Sequence, residues 1–422
     1  MTEKAITKLS LLLNTLMFTG VGITILCFNI KYLELFHLTT SLLIISIGGI
    51  SMILNIIKTK KAKDILISLS TLLVGIFFYN NKKHFLSIFP LLFGIYMLIN
   101  GTIKFITYII FKNRENLNYY KVLLGSLIDL IFSYIMIKEP TQNIQRLSII
   151  LGIYLILFGI TYFKDLLKEI FPKRKKKKRS FRITIPIIFS VMIPYKVLLK
   201  INNFLEEWKT PVKIKSKKTS GKVDLEILIH VKDSNIGKIG HADLCYNDIV
   251  YSYGCYDECS KKLFESVGEG TLFEVIGKER YIKFCNQNSD KTIFSFGITL
   301  TDEEKEKVEL AITNIKRNTY PWKNIKTSKK KKNEYAEKLI TQVNAKFYKF
   351  NKSSYKTYFL LSTNCVKLVD DIVGVTGSDL LKINGVITPG AYYAFLEKEF
   401  KKENSNVITK QIYTNIKKRK EF

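Results

Sequence analysis

The chain of 422 residues contains little of the chemistry that metal and nucleotide sites use. It has six cysteines and four histidines, and no two cysteines form a CxxC pair. Cys245, Cys255 and Cys259 do not have the spacing of a known zinc module, so we interpret them as ordinary strand and loop residues. Because the sequence also contains no nucleotide or dinucleotide motif, neither a metal nor another cofactor is predicted.

Acidic residues are scarce as well, with 36 Asp and Glu against 66 Lys and Arg, which gives a net charge of +30. Such an excess is compatible with nucleic-acid binding. However, the positive charge is densest beside the hydrophobic segments, where lysines set the topology and contact anionic lipid headgroups. The lipid bilayer is therefore the predicted partner, and nucleic acid is not.

The cysteines also indicate the redox compartment. Cys27 lies in a hydrophobic segment, and the other five lie in the polar half of the chain. An odd number of cysteines cannot all pair within one chain, which favours a reducing compartment over a disulfide framework.

Long hydrophobic runs fill the first 170 residues, and a helix needs about 20 apolar residues to cross the hydrocarbon core. The first run is too long for a removable signal peptide and is not followed by a cleavage-type sequence. The chain is therefore predicted to be a multi-pass protein of the cell membrane. The predicted membrane helices are six: 6–29, 38–57, 64–80, 85–111, 122–138 and 145–171.

The loops between these segments differ in charge from one side to the other. By the positive-inside rule, the more basic side is cytoplasmic and includes the N terminus and the run 173–179. The residues on that side are Lys4, Lys8, Lys58, Lys60, Lys61, Lys63, Lys112, Arg114, Lys121 and the run itself. The opposite side carries Lys31, Lys82, Lys83, Lys138 and Arg146.

Residues 181–208 are apolar but contain Pro186 and Pro194, and basic runs flank them on both sides. We interpret them as an in-plane or re-entrant segment that lays the soluble domain against the bilayer, on the cytoplasmic side. The alternative is a seventh helix spanning residues 182–199, which would place the soluble domain outside.

An internal repeat is visible in the membrane half. Gly94, Tyr96 and Gly101 recur 58 residues later at 152, 154 and 159, and a degenerate copy ends at Gly49. The repeat predicts three helical pairs in which glycines allow close contact. This half resembles the HdeD-type family of six-helix acid-resistance membrane proteins, which are built from glycine-bearing repeats.

Asp129 is the ionisable residue that lies well inside a hydrophobic segment. An intramembrane acid is a candidate proton or ion site. Because no second acid or basic partner is near it in sequence, we interpret Asp129 instead as a buried acid hydrogen-bonded to a neighbouring helix.

The polar half predicts an α+β domain over residues 223–402. Strand-like pieces include LEILIHV, TLFEVIG, RYIKFC and TIFSFGITL, and Asn247-Asp248 forms a two-residue turn. Helices are predicted to begin at a capping box formed by Thr301 and Glu304 and at Thr388-Pro389. A further helix is predicted near 333–347, and a short one is capped by Thr363 or Asn364. The remaining divisions are a membrane domain (1–172), a basic and linking region (173–222) and a basic C-terminal tail (403–422).

Cys365 has an informative position, in the first turn of a short predicted helix. Unpaired backbone amides and the positive end of the helix dipole favour a thiolate there. A cysteine nucleophile also needs a base, usually a histidine. The two-residue turn aligns Asp243 with Ser252 and His241 with Gly254, so His241 becomes the candidate base.

The segments IGHADLCYNDIVYSYGCYDECSKKLFESVGEGTLFEVIGKERYIKF, ITLTDEEKEKVELAI and STNC resemble the Lnb N-terminal periplasmic domain family. That resemblance implies a circularly permuted papain-like fold related to NlpC-type amidases and lecithin:retinol acyltransferase-like enzymes. It also implies Cys365 as nucleophile and His241 as base. Ser252 stands where the family usually has Asn as the third, orienting residue.

Together these features predict a six-helix membrane bundle of hairpin repeats followed by a permuted papain-like domain. The expected function is a membrane-embedded cysteine hydrolase or acyltransferase that acts on an amide, ester or thioester, including lipid-linked ones, through an acyl-Cys365 intermediate. The alternative is a non-enzymatic membrane stress protein whose papain-like domain is a binding module.

Overall fold

The computed structural model divides the chain into two compact units: residues 10–105 with 121–165, and residues 1–9 with 106–120 and 166–422. The first unit consists of apolar helices, and the second contains a large β-sheet. The structure describes residues 3–27, 29–59, 62–112, 119–140, 142–170, 195–199, 216–217, 221–232, 240–263, 265–288, 291–322, 334–351, 353–376, 388–402 and 405–414.

Six helices form in the first 170 residues: α1 (Glu3–Cys27), α2 (Asn29–Leu54), α3 (Ala62–Asn80), α4 (Lys82–Lys112), α5 (Tyr119–Lys138) and α6 (Ile144–Ile170). Within the described residues, five helices are long and apolar enough to cross a membrane, and α5 is not among them. The sixth predicted span, α5, is a helix of 20 residues, and its crossing of the membrane stays a prediction.

The repeat glycines lie where helices approach most closely. A Cβ atom built on Gly101 of α4 would lie 2.9 Å from Leu130 of α5, and one on Gly159 of α6 would lie 2.9 Å from the Thr19 backbone nitrogen of α1. Such distances leave no room for any side chain. The repeat therefore marks helix–helix contacts, α4 with α5 and α6 with α1, as its sequence predicted.

The third close pair joins α2 to α3, but the glycine that permits it is not the predicted one. A Cβ on Gly48 would lie 2.6 Å from the Leu72 backbone nitrogen, whereas Gly49 has open space around it. The degenerate copy of the repeat thus makes its contact one residue earlier than the sequence alignment placed it.

Asp129 is buried in α5 and is paired with α4. Its Oδ2 atom lies 2.5 Å from Asn100 Nδ2 and 2.7 Å from Lys104 Nζ. The predicted hydrogen bond to a neighbouring helix is present. The basic partner, Lys104, was not expected because it belongs to a different helix. A charge buried in this bundle is thereby compensated within the bundle.

The second unit is built on a nine-stranded antiparallel sheet, with strand order β1-β11-β7-β2-β3-β4-β6-β9-β8. A separate pair is formed by β5 and β10. Strands β2, β3 and β4 lie at the centre, and they carry the residues of the candidate site. The strands are β1 (Ser216–Lys217), β2 (Leu225–Lys232), β3 (His241–Tyr246), β4 (Ile249–Gly254), β5 (Val267–Glu269), β6 (Thr271–Ile276), β7 (Lys291–Ile298), β8 (Thr319–Pro321), β9 (Lys346–Phe350), β10 (Thr357–Phe359) and β11 (Val407–Tyr413).

Among the described residues, the longer helices that accompany the sheet are α7 (Lys278–Asn288), α8 (Asp302–Arg317), α9 (Glu334–Val343), α10 (Cys365–Val373) and α11 (Pro389–Lys401). The predicted start signals of three are confirmed. Thr301 and Glu304 form the capping box of α8, Asn364 caps α10, and Thr388 caps α11.

The predicted strand RYIKFC is wrong, because residues 280–285 lie in helix α7. Its aromatic and β-branched residues are typical of a strand, yet Tyr281, Ile282, Phe284 and Cys285 are buried at a spacing that fits one helix face. Asp248 also fixes the start of the helix, since its carboxylate accepts a hydrogen bond from the Lys278 backbone nitrogen at 2.9 Å.

The predicted C-terminal tail is also corrected in part. Residues 407–413 form strand β11, which pairs with β7 on one side and with β1 on the other. The backbone groups of β7, a strand buried along nearly its whole length, would otherwise lack partners. Residues 216–217, predicted as linker, are the β1 strand of this same sheet edge. Residues 415–422 lie outside the described residues.

Two apolar clusters cover the two faces of the sheet. One packs α8, α10 and α11 against β2, β3 and β7, and the other packs α7 and α9 against the opposite face. Residues 195–199 are helical, and Leu198 is fully buried in the first cluster. The rest of the predicted in-plane segment, residues 181–194 and 200–208, lies outside the described residues. The permuted papain-like topology stays a prediction.

Candidate active site

A tight turn sets the alignment of the two strands that carry the candidate base. Asn247 and Asp248 have φ values of 49° and 60°, as a two-residue turn with both central residues left-handed requires. The resulting register pairs Asp243 with Ser252, which confirms the predicted alignment. On the other side of β3, which pairs with β2, His241 lies directly opposite His230.

Cys365 is the first residue of α10, as predicted. The Asn364 side chain accepts a hydrogen bond from the Lys367 backbone nitrogen, so Asn364 is the N-cap of α10. The cysteine is 2% exposed, and α10 packs against β3 and β4. The helix start therefore delivers the thiol to the strand that carries His241.

The Cys365 and His241 side chains form a hydrogen bond. Burial alone would lower the pKa of His241, but its interactions with Cys365 and Asp243 outweigh burial and raise that pKa to about 10. An imidazolium next to a thiolate is the resting state that cysteine nucleophiles use. The structure thus brings together the two residues predicted as nucleophile and base.

The Nε2 atom of His241 is surrounded by oxygen atoms. It forms a hydrogen bond with Ser252 Oγ at 3.0 Å, and the Tyr256 hydroxyl lies 3.2 Å away and also bonds to Ser252 at 2.7 Å. Asp243 Oδ1 lies 2.9 Å from the same nitrogen. Ser252, predicted as the third residue, does contact the histidine, but it shares this position with a tyrosine and a carboxylate.

Asp243 is completely buried and is the charged member of the site. Its second oxygen, Oδ2, lies 2.8 Å from His230 Nε2 and accepts a hydrogen bond from the Tyr281 hydroxyl at 2.7 Å. Burial by itself would raise the pKa of Asp243, yet the two histidines hold it well below its usual range. The carboxylate is therefore ionised beside His241 at neutral pH.

Sequence reasoning aligned Asp243 with Ser252 but gave neither Asp243 nor His230 a role. The signal that was available is the alternation along β3, since residues 241 and 243 point to one face. Tyr256 and Tyr281 carried no such signal. They come from the segment after β4 and from α7, so only the packed structure brings them to the histidine.

Burial raises the pKa of three other thiols of the sheet domain. Burial raises the pKa of Cys245 to about 12 and that of Cys285 to about 11, which keeps both protonated at neutral pH. Burial raises the pKa of Cys255 as well. In the described part of the chain, no group of three or more His, Cys, Asp and Glu residues is arranged to hold a metal ion.

Comparison with known proteins bears on the membrane half. A family model described as "Short repeat of unknown function (DUF308)" matches residues 66–138. These residues span most of α3 and all of α4 and α5, within the half that resembles the HdeD-type family. No curated protein and no solved structure matches the chain.

The DUF308 repeat and the five apolar helices together make this a multi-pass membrane protein. The matched residues include none of the site residues of the sheet domain. The chemistry of that site therefore rests on its own geometry.

Proposed function

We propose that the sheet domain is a cysteine hydrolase or acyltransferase that acts on an amide, ester or thioester. The observation that carries the proposal is the interaction between Cys365, at the start of α10, and His241, whose Nε2 atom lies 2.9 Å from the buried carboxylate of Asp243. A helix start, a thiol, an imidazole and a fixed negative charge are the components of nucleophilic thiol catalysis.

In the first half of the reaction, the Cys365 thiolate attacks the carbonyl carbon and the C=O electron pair moves to oxygen. The backbone amides of the first turn of α10 stabilise the resulting oxyanion. His241 then donates its proton to the departing amine, alcohol or thiol as the bond to carbon breaks. The product of this half is the acyl-Cys365 thioester.

In the second half, neutral His241 accepts a proton from water or from an acceptor hydroxyl or amine, which attacks the thioester carbon. The thiolate leaves, and the imidazolium that formed restores the resting pair. The negative charge of Asp243 stabilises the imidazolium form of His241 in both halves of the reaction, while Ser252 orients the ring.

A lipid or lipid-linked substrate is the class we propose. Apolar helices in the same chain confine the domain to the neighbourhood of the bilayer, where such substrates are concentrated. By sequence, basic runs at 173–179 and 213–222 flank the segment that precedes the domain, and each well-placed lysine adds about 1 kcal/mol of attraction to an anionic surface. We also propose that the domain is cytoplasmic.

The competing proposal is a non-enzymatic binding module, which the near-complete burial of Cys365 favours. A thiol that is 2% exposed must become accessible before a substrate carbonyl can reach it. The two proposals differ in one observable, the formation of a covalent acyl adduct on Cys365.

The test uses the full-length protein in detergent micelles and mass spectrometry of each cysteine. Iodoacetamide at about pH 7 should modify Cys365 faster than Cys245 and Cys285, and the variant His241→Gln should slow that reaction. p-Nitrophenyl acyl esters should leave an acyl group on Cys365, and longer chains should react faster if the substrate is a lipid. Equal modification of all cysteines, with no effect of His241→Gln and no acyl adduct, would leave the binding module as the better proposal.

A further inference from the structure

We propose that His230 and Tyr281 are positioning residues, which hold the Asp243 carboxylate against His241 so that the imidazole stays charged and directed at Cys365. The inference rests on the proposed function, because it assigns these two residues to the same site. Neither touches Cys365 or a substrate, so each acts through Asp243.

The geometry around Asp243 is that of a carboxylate held from two sides. Oδ1 lies 2.9 Å from His241, whereas Oδ2 lies 2.8 Å from His230 and accepts the hydrogen bond of Tyr281 at 2.7 Å. A rotation of the carboxylate that moves Oδ1 away from His241 also breaks the contacts at Oδ2. The two groups at Oδ2 therefore determine where Oδ1 points.

These partners come from different elements and are themselves fixed. His230 lies on β2 directly opposite His241 and is 1% exposed, and Tyr281 lies on α7 and is also 1% exposed. Two ring contacts tie them together, since the His230 ring is 5.9 Å from that of Tyr281 and 6.0 Å from that of His241. His230 and Tyr281 therefore form a buried pair beside Asp243 that water does not reach; we call this pair the clamp.

His230 suits this role because it is neutral. Burial lowers its pKa, and Lys291 and His241 act in the same direction, while Asp243 opposes them. A neutral imidazole contacts the carboxylate without cancelling its charge, so the charge remains available to His241. Two charged histidines would instead compete for one carboxylate.

Other ionisable groups lie near the clamp, on β7, α9, α7 and the segment after β4. Lys291 of β7 donates to the Tyr335 hydroxyl of α9 at 2.9 Å and adds a positive charge near Asp243. Cys285 of α7 is protonated because burial raises its pKa to about 11. Tyr256, beside His241, is likewise neutral since burial raises its pKa well above the ordinary value. None of these groups replaces the contacts at Oδ2.

The experiment measures the pKa of His241 in the full-length protein labelled at the histidine rings with ¹³C, with its signal assigned by its loss in His241→Gln. The double variant His230→Leu/Tyr281→Phe should lower that pKa by at least about one unit, because the carboxylate is free to turn away. His230→Gln, which keeps an N–H donor, should change it less than His230→Leu. The alkylation rate of Cys365 by iodoacetamide is followed in parallel.

Tyr246→Phe is the matched control. Tyr246 is also buried and donates to a carboxylate, that of Glu309, at 2.9 Å, but it lies at the far end of β3. It should lower thermal stability about as much as Tyr281→Phe and leave the pKa of His241 unchanged.

The outcomes separate the inference from the proposed function. If the wild-type protein shows fast, His241-dependent alkylation but the double variant keeps or raises the pKa of His241, the positioning role is refuted and the thiol chemistry stands. If wild-type Cys365 reacts no faster than the other cysteines, the proposed function fails, whatever the pKa of His241 does. A fall in that pKa equal to the one produced by Tyr246→Phe also refutes the inference, since it would reflect general destabilisation.

Discussion

Replacing Asp243 with asparagine should lower the pKa of His241. The substitution keeps the size of the side chain and removes its charge, 2.9 Å from the imidazole nitrogen. Tyr281 and Ser252 can still form hydrogen bonds in the variant. The change therefore isolates the electrostatic contribution of the carboxylate.

The magnitude follows from the distance and the burial. Two unit charges about 4 Å apart attract by about 4 kcal/mol at an effective dielectric constant of about 20, and one pKa unit is about 1.4 kcal/mol. The pKa of His241, about 10 in the native protein, should consequently fall by at least about two units toward the ordinary value of about 6.5.

The same shift has a consequence for stability. A histidine whose pKa is raised in the folded state contributes stability that is fully present below its unfolded pKa of about 6.5. That contribution is lost as the pH rises through about 10, the pKa of folded His241. In Asp243→Asn the contribution is smaller, and the loss should be complete at a lower pH.

Histidine-ring NMR over a pH series measures the pKa directly, and thermal unfolding over the same series measures the stability. Glu226→Gln is the control, because Glu226 is a mostly buried carboxylate of β2 that pairs with Lys278 rather than with a histidine. An Asp243→Asn protein whose His241 still titrates at about 10, as in Glu226→Gln, would refute the electrostatic reasoning.

Three further predictions concern the membrane half and the topology. Gly159→Leu should separate α6 from α1 and lower the thermal stability in detergent, whereas Gly49→Leu, with open space around it, should leave stability unchanged. Asp129→Asn should be destabilising because the half-buried Lys104 is left without its counter-charge, and adding Lys104→Met should restore much of the loss; a double variant worse than both single ones would contradict the pairing. A cysteine introduced at residue 220 should resist a membrane-impermeant thiol reagent in intact cells, and its modification would show that residues 182–199 span.

The parts of the molecule that sequence reasoning predicted well are those set by local physics. The two-residue turn at Asn247 depends on residues that tolerate positive φ, and it aligns Asp243 with Ser252 wherever the hairpin sits. The caps of α8, α10 and α11 depend on side chains within three residues of each helix start, so Cys365 could be placed in its first turn.

Where local preferences conflicted with packing, the prediction was wrong. Residues 280–285 have strand-forming side chains, but α7 buries one helical face of them against the sheet. Residues 407–413 follow a polar, lysine-rich stretch and still form a strand, because the edge of β7 requires a partner.

By itself, the sequence determined the apolar helices, the hairpin register that pairs Asp243 with Ser252 and the helix that begins at Cys365, because each depends on residues close together in the chain. Only the tertiary structure decided which charges meet. Asp243 with His230 and Tyr281, and Asp129 with Lys104, join residues that are 13 to 38 positions apart on different elements. A buried charge is stable only with a partner at hydrogen-bonding distance, and no local pattern specifies which distant side chain the fold will bring there.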